Sequence, residues 1–196
     1  MKVAVYCSSK SNLPSQFVES AKKVGEWIGL NCATLVYGGI DLGLMKEVAT
    51  ATKLHKGKVV GIVPVTRKSS YNIQNDENII VTDLNERKAK MVLLSDVFVV
   101  LPGGYGTLDE LMSTFTSLSF AGNKSKTIIL LNQNGLYDNT LEQLNVMIAN
   151  GLMDSKLMQY IKVATSSEEC CRLLDQCKKA QILEYNEKKH NLYLHR

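Results

Sequence analysis

No stretch of this 196-residue chain approaches the roughly 18 consecutive apolar residues of a membrane span. Its first apolar run, Val3 to Cys7, is shorter than the core of a secretory signal, and the expectation is a cytoplasmic protein without a membrane partner. The five cysteines, Cys7, Cys32, Cys170, Cys171 and Cys177, are odd in number and show no zinc-ribbon spacing, which points to reduced thiols rather than a disulfide framework or a metal centre. The P-loop pattern Gly-x-x-x-x-Gly-Lys-Ser/Thr is missing, which argues against a kinase or ATPase of that type. The dinucleotide glycine fingerprint is missing too: the turn after the first apolar run lacks it, and Gly104-x-Gly106 has no third glycine in place. Neither the Gly-x-Ser-x-Gly elbow nor the His-Glu-x-x-His zinc helix occurs. The three histidines, His55, His190 and His195, fall outside every cluster described below. A net charge of +4 comes from scattered lysines, which suits a small anionic ligand and gives little reason to expect nucleic-acid binding.

What is present is a regular alternation. Apolar, strand-like runs cover Lys2–Ser8, Ala33–Tyr37, Val59–Val63, Asn78–Thr82, Val97–Leu101, Thr127–Leu131 and Tyr160–Ala164. Helix-like segments lie between them, near Pro14–Gly29, Leu42–His55, Leu84–Leu94, Thr107–Phe120, Tyr137–Asn150 and Ser166–Lys179. Strands this apolar are buried on both faces, so the pattern predicts an α/β fold with a Rossmann-like, doubly wound parallel sheet. One domain is expected over residues 1–180, with a charged tail or helix extension over 181–196. Ligands of such folds bind at the carboxyl ends of the strands. The one long polar connection, residues 64–77, is either a lid or a surface loop.

Four clusters fall at strand ends. Cys7-Ser8-Ser9-Lys10-Ser11 offers hydroxyls and amides to a phosphate or a base, and Ser8 is a candidate contact, although the same residues also make an ordinary polar turn. Gly38 and Gly39 follow the second strand, where glycine permits either close ligand approach or a tight turn. Asp83 and Glu86 match a capping pattern, which puts Arg87 and Lys88 in the first turns of a helix. Cations are electrostatically misplaced there, and a bound anion would explain them, although a solvated basic helix face is the usual source of such a run. The fourth cluster, Leu101-Pro102-Gly103-Gly104-Tyr105-Gly106-Thr107-Leu108-Asp109-Glu110, combines three glycines with a helix start, which suits a phosphate, and with the acid Glu110 one turn further on. The competing explanation is a capping box, with Thr107 as N-cap and Glu110 at the third helical position.

Pro102-Gly-Gly-Tyr-Gly-Thr-Leu-Asp-Glu110 and Glu86-Arg-Lys-Ala-Lys-Met91 together resemble the signatures of the LONELY GUY family of cytokinin riboside 5′-monophosphate phosphoribohydrolases. Weaker similarity runs from Cys7-Ser8-Ser9 to Leu130-Leu131-Asn132. The resemblance implies hydrolysis of the N-glycosidic bond of a nucleoside 5′-monophosphate by a homodimer that uses no cofactor and no metal. It implies Arg87 and Glu110 as the catalytic pair, with Lys88, the stretch Gly103, Gly104, Tyr105, Gly106, Thr107, Leu108 and Asp109, and Thr116 on the substrate. Ile40, Lys46, Ser69 and the run Ser117-Leu-Ser-Phe-Ala121 depart from the family pattern around the base pocket and dimer seam. The base released, a cytokinin or a plain purine as in AMP, therefore stays open. A carrier or sensor of related fold, such as one for molybdenum cofactor, is the alternative. It would keep the glycine cradle and would need no Arg87–Glu110 pair.

Overall fold

The computed structural model describes residues 1–72, 74–122 and 125–194, apart from the side chains of 68–70, 188 and 190–194. The side chains of Ser69 and His190, and the whole of His195, lie outside the described part.

Seven strands form one sheet: β1 (Lys2–Tyr6), β2 (Thr34–Tyr37), β3 (Lys58–Pro64), β4 (Glu77–Val81), β5 (Val97–Val100), β6 (Thr127–Leu131) and β7 (Ile161–Ala164). Every pairing is parallel, in the order β4-β3-β2-β1-β5-β6-β7. Among the described residues, five α-helices lie between strands, α1 (Ser15–Leu30), α2 (Gly43–Leu54), α3 (Leu84–Leu94), α4 (Tyr105–Ala121) and α5 (Asp138–Ala149), and α6 (Ser167–Leu194) follows β7.

The period-two alternation of each strand divides the core. Val3, Val5 and Cys7 of the first strand segment face α1, α2 and α6, together with Trp27, Ile28, Val48 and Leu174. Ala4 and Tyr6 face the opposite layer, with Met91, Leu111, Phe115 and Leu144 of α3, α4 and α5. This is the doubly wound arrangement expected from the apolar runs.

Two features of the winding position the site. The chain builds outward from β1 to β4, then returns through α3 to place β5 on the other side of β1. Strand order therefore reverses at the β1/β5 junction, where a crevice opens at the carboxyl ends. The same return carries α3 across the sheet, so its first turns reach the loop after β2. Residues 64–77 are not one open loop: a 3-10 turn occupies Val65–Ser70, and Tyr71 makes an antiparallel bridge with Ile40. Helix α6 continues through position 180 as far as Leu194, so the charged segment expected as a tail or a helix extension is helical where it is described.

Candidate active site

The crevice between the β1 and β5 ends is a cavity of about 310 Å³. One wall is the β1 loop, Cys7 to Lys10. The other is the start of α4, with Gly104, Tyr105, Gly106 and Thr107, and α3 closes it with Leu84, Arg87 and Lys88. Asp109, Glu110 and Met45 complete the lining. Three of the four sequence clusters thus meet in one place, and the second, Tyr37 to Met45, reaches it through Met45.

Helix α4 starts two residues earlier than the sequence suggested. Gly104 is the N-cap, in an extended conformation, and the Leu108 amide donates to the Gly104 carbonyl at 3.0 Å. Thr107 is therefore inside the helix and caps nothing. Its side chain lies against Gly103, so closely that a Cβ at Gly103 would collide with it. Glu110 consequently sits in the second turn, and its carboxylate makes no capping bond. The capping-box explanation falls with this geometry. The first-turn amides of Tyr105, Gly106 and Thr107 have no acceptor within the helix, and open space lies over Gly104 and Gly106. Such a glycine-bordered helix start is a site for anionic oxygens.

Helix α3 starts as the sequence suggested. The Asp83 carboxylate accepts from the amides of Asn85 and Glu86, at 2.8 and 2.9 Å. Glu86 reaches back to the amide and hydroxyl of Thr82, at 2.7 Å each. Arg87 follows on the sheet-facing side. Its guanidinium occupies the space over Gly38 that a side chain there would fill. It also lies 3.2 Å from Glu110 Oε1, and the two side chains keep 16% and 10% exposure. The Arg87 Nε is buried without a hydrogen-bond partner.

Burial pushes the Glu110 carboxyl up to about 7. Asp109 adds to the rise, while Arg87 and, less strongly, Lys88 oppose it. The loss of hydration outweighs the 3.2 Å pairing with the guanidinium, so the group titrates near neutrality. A carboxyl tuned into this range beside a cleft is the usual condition of an acid–base residue. Lys88 is held by both oxygens of Asp109, at 2.7 and 2.8 Å. The Cys7 thiol, at the cleft floor, is raised far above its ordinary range by burial and stays protonated, so it is no thiolate nucleophile.

Other sequence candidates sit elsewhere. Thr116 is exposed on α4, six residues beyond Glu110, where the helical turn rotates it off the cleft face. Leu108 packs into the α3–α5 core layer. Gly39 has φ of +76° and lies against Val63 and Gly61, so it serves the turn after β2. Gly38 supports Arg87 from behind and does not line the cavity. Ser8 does line it, and its amide and carbonyl tie the Pro102 carbonyl and Leu44 amide together, at 3.1 and 2.9 Å. Sequence reasoning missed Tyr6 and Thr114, whose hydroxyls meet at 2.8 Å beneath the α4 wall. It also missed Tyr137. All three read as ordinary core residues, and only the tertiary contacts reveal their hydroxyl partners.

Among the described residues, no group of three or more His, Cys, Asp or Glu is arranged to hold a metal ion. No helix among them is long and apolar enough to cross a membrane.

The fold and cleft define an α/β protein with a cavity at the sheet's switch point, where a glycine-bordered helix start stands beside an acid–guanidinium pair. Comparison with known proteins narrows the class. Residues 45–174 match a family model described as "Possible lysine decarboxylase". The chain is 37% identical over 154 residues to a probable cytokinin riboside 5′-monophosphate phosphoribohydrolase of Oryza sativa subsp. japonica, covering 78% of this chain and 67% of the relative. It is 33% identical over 172 residues to the cytokinin riboside 5′-monophosphate phosphoribohydrolase of Mycobacterium tuberculosis, covering 87% and 91%. The chain belongs to this phosphoribohydrolase family, as its two motifs suggested. The molybdenum cofactor carrier protein of Chlamydomonas reinhardtii shares the fold, with a TM-score of 0.71 at 20% identity over 91% of this chain and 98% of the other.

Proposed function

We propose that the protein hydrolyses the N-glycosidic bond of a nucleoside 5′-monophosphate to free base and ribose 5-phosphate. The observation that carries the proposal is the nearly buried Arg87–Glu110 pair, with its near-neutral carboxyl, beside the open amides of the α4 start. The name carried by the relatives agrees with it.

The division of labour follows from the geometry. The 5′-phosphate lies over the amides of Tyr105, Gly106 and Thr107, with Lys88 supplying a positive charge from α3. Phosphate binding fixes the ribose, so its interaction energy serves to orient C1′. As the C1′–N bond breaks, its electron pair leaves with the base and positive charge develops on the ribose. An ionised Glu110 in a water-poor site opposes that charge far more strongly than it would in bulk solvent. Water then bonds to C1′, and its proton passes to Glu110, from which the departing base nitrogen is finally protonated. Arg87 favours the ionised form of the carboxylate against the effect of burial and fixes its orientation.

The same reading includes a homodimer and a cytoplasmic location. Exposed apolar side chains on α3 and α4 support the first, Leu93 at 72% and Phe120 at 91% among them. The described cysteines are all free thiols, in keeping with the second.

A molybdenum-cofactor carrier has the fold in its favour and would use the same cradle. It gives no role to a carboxyl tuned to near 7 against a guanidinium. Incubation with AMP and with isopentenyladenosine monophosphate, followed by assay of free base, separates the two. Base release supports the hydrolase, and binding without release supports the carrier.

A further inference from the structure

The loop that presents the phosphate-binding amides is fastened by a residue from a different part of the chain. Tyr137 stands immediately before α5, in the connection after β6, and is 2% exposed. Its hydroxyl crosses to the β5 end and donates to the Leu101 carbonyl at 2.7 Å. The Gly103 amide lies close enough to the phenolic oxygen to act on its electrostatics. The phenolic hydroxyl thus sits against the chain on either side of Pro102. The other polar backbone groups of this segment are also satisfied: the Leu101 amide donates to the Tyr6 carbonyl at 2.9 Å, and the Pro102 carbonyl accepts from the Ser8 amide at 3.1 Å. The chain is therefore pinned through Pro102, shortly before the free amides of the α4 start.

Tyr137 is itself held in place. Its amide donates to Asn132 Oδ1 at 2.8 Å, Asn132 Nδ2 donates to Asp138 at 2.7 Å, and the Asn132 amide donates to the Ala164 carbonyl at 2.7 Å. The ring packs in the core layer shared by α4 and α5. This anchors the hydroxyl to β6 and β7, the half of the sheet that contributes nothing else to the cleft.

We propose that Tyr137 is a positioning residue for the phosphate cradle: its hydroxyl sets where the Gly104–Thr107 amides stand, and so sets affinity for the 5′-phosphate. The inference rests on the cradle reading above. Oxyanion-type binding sites lose much of their strength when donors shift by fractions of an ångström, because their hydrogen bonds are short and directional. Freeing the Leu101 carbonyl from the Tyr137 hydroxyl lets the segment relax and the downstream amides with it.

The test is Tyr137→Phe, which keeps the ring in the core and removes only the hydroxyl, with Tyr160→Phe as a control in the same core layer. Calorimetric binding of ribose 5-phosphate, and of AMP against adenosine, reads the cradle without requiring turnover. The expected result is about a tenfold loss of affinity for ribose 5-phosphate and AMP with adenosine unchanged, on the scale of one hydrogen-bonding group displaced. Where AMP is hydrolysed, KM rises with little change in kcat, as expected when ground state and transition state lose phosphate binding equally. Wild-type affinity for ribose 5-phosphate in Tyr137→Phe, or an equal loss for adenosine and AMP, overturns the proposal. A wild-type protein that binds ribose 5-phosphate but releases no base refutes the hydrolase reading instead, and the comparison with Tyr137→Phe still reads the cradle.

Discussion

The Arg87 guanidinium lies 3.2 Å from Glu110 Oε1, yet the carboxyl titrates near 7. A solvent-exposed carboxylate with such a partner would fall below its ordinary value. Here burial wins, and the result is a group that is half ionised at neutral pH and held in a fixed orientation. That combination links the fold, which buries the pair beneath the α4 start, to a reaction that develops positive charge at a sugar carbon.

Glu110→Gln is expected to reduce base release from AMP by at least about a hundredfold, the usual scale for removing one electrostatic or acid–base group. Affinity for ribose 5-phosphate stays near that of the wild type, because the cradle amides are untouched. Retained turnover would remove Glu110 from the mechanism.

The stability of the same variant has a definite sign. The folded-state value of Glu110 lies above its unfolded value, so between about pH 4.5 and 7 the native state holds the extra proton. That contribution is fully present below the unfolded value and is lost as pH rises through 7. Glu110→Gln lacks it, so the variant should match the wild type near pH 4 and exceed it in stability at pH 8, by on the order of 3 kcal/mol at most. Denaturant melts at the two pH values read this directly. A helix-capping role would give the opposite, a destabilised variant at every pH.

The pH dependence of kcat/KM follows from the requirement for ionised Glu110. Activity should rise through a step near pH 7. In Arg87→Ala the step should move to higher pH, because the largest influence opposing the rise is gone. Activity at pH 7 should fall by about a hundredfold or more. An unchanged profile in Arg87→Ala would contradict the coupling of the two groups.

Gly103→Ala tests the packing under the cradle. A Cβ there meets the Thr107 side chain, which is buried. The expected cost is about 1–3 kcal/mol of stability, with weakened phosphate binding, as for overpacked sites generally. Gly106→Ala, where open space lies over the residue, should leave stability nearly unchanged and impair only ligand approach.

Much of this was legible in the sequence, and the limits have physical reasons. The strands stand out because their residues are apolar on both faces, as at Val97-Phe98-Val99-Val100, where alternate residues feed the two core layers. Arg87 was conspicuous because a cation in the first turns of a helix opposes the dipole. The start of α4 was misjudged because Thr107 and Glu110 imitate a capping box, while the true N-cap, Gly104, has no side chain to announce it. Thr116 was carried over from the family pattern, and the helical period turns it away from the cleft of the single chain. Tyr6, Thr114 and Tyr137 were invisible because a buried hydroxyl shows its partner only after strands distant in sequence have been brought together.

The most direct test measures free adenine and ribose 5-phosphate together, over time, from AMP with the wild-type protein and with Glu110→Gln. The two products should appear in equal amounts with the wild type, and neither should appear above background with a variant that still binds ribose 5-phosphate. AMP bound intact by both proteins, or base released equally by both, would contradict the assignment of this pair to breaking the glycosidic bond.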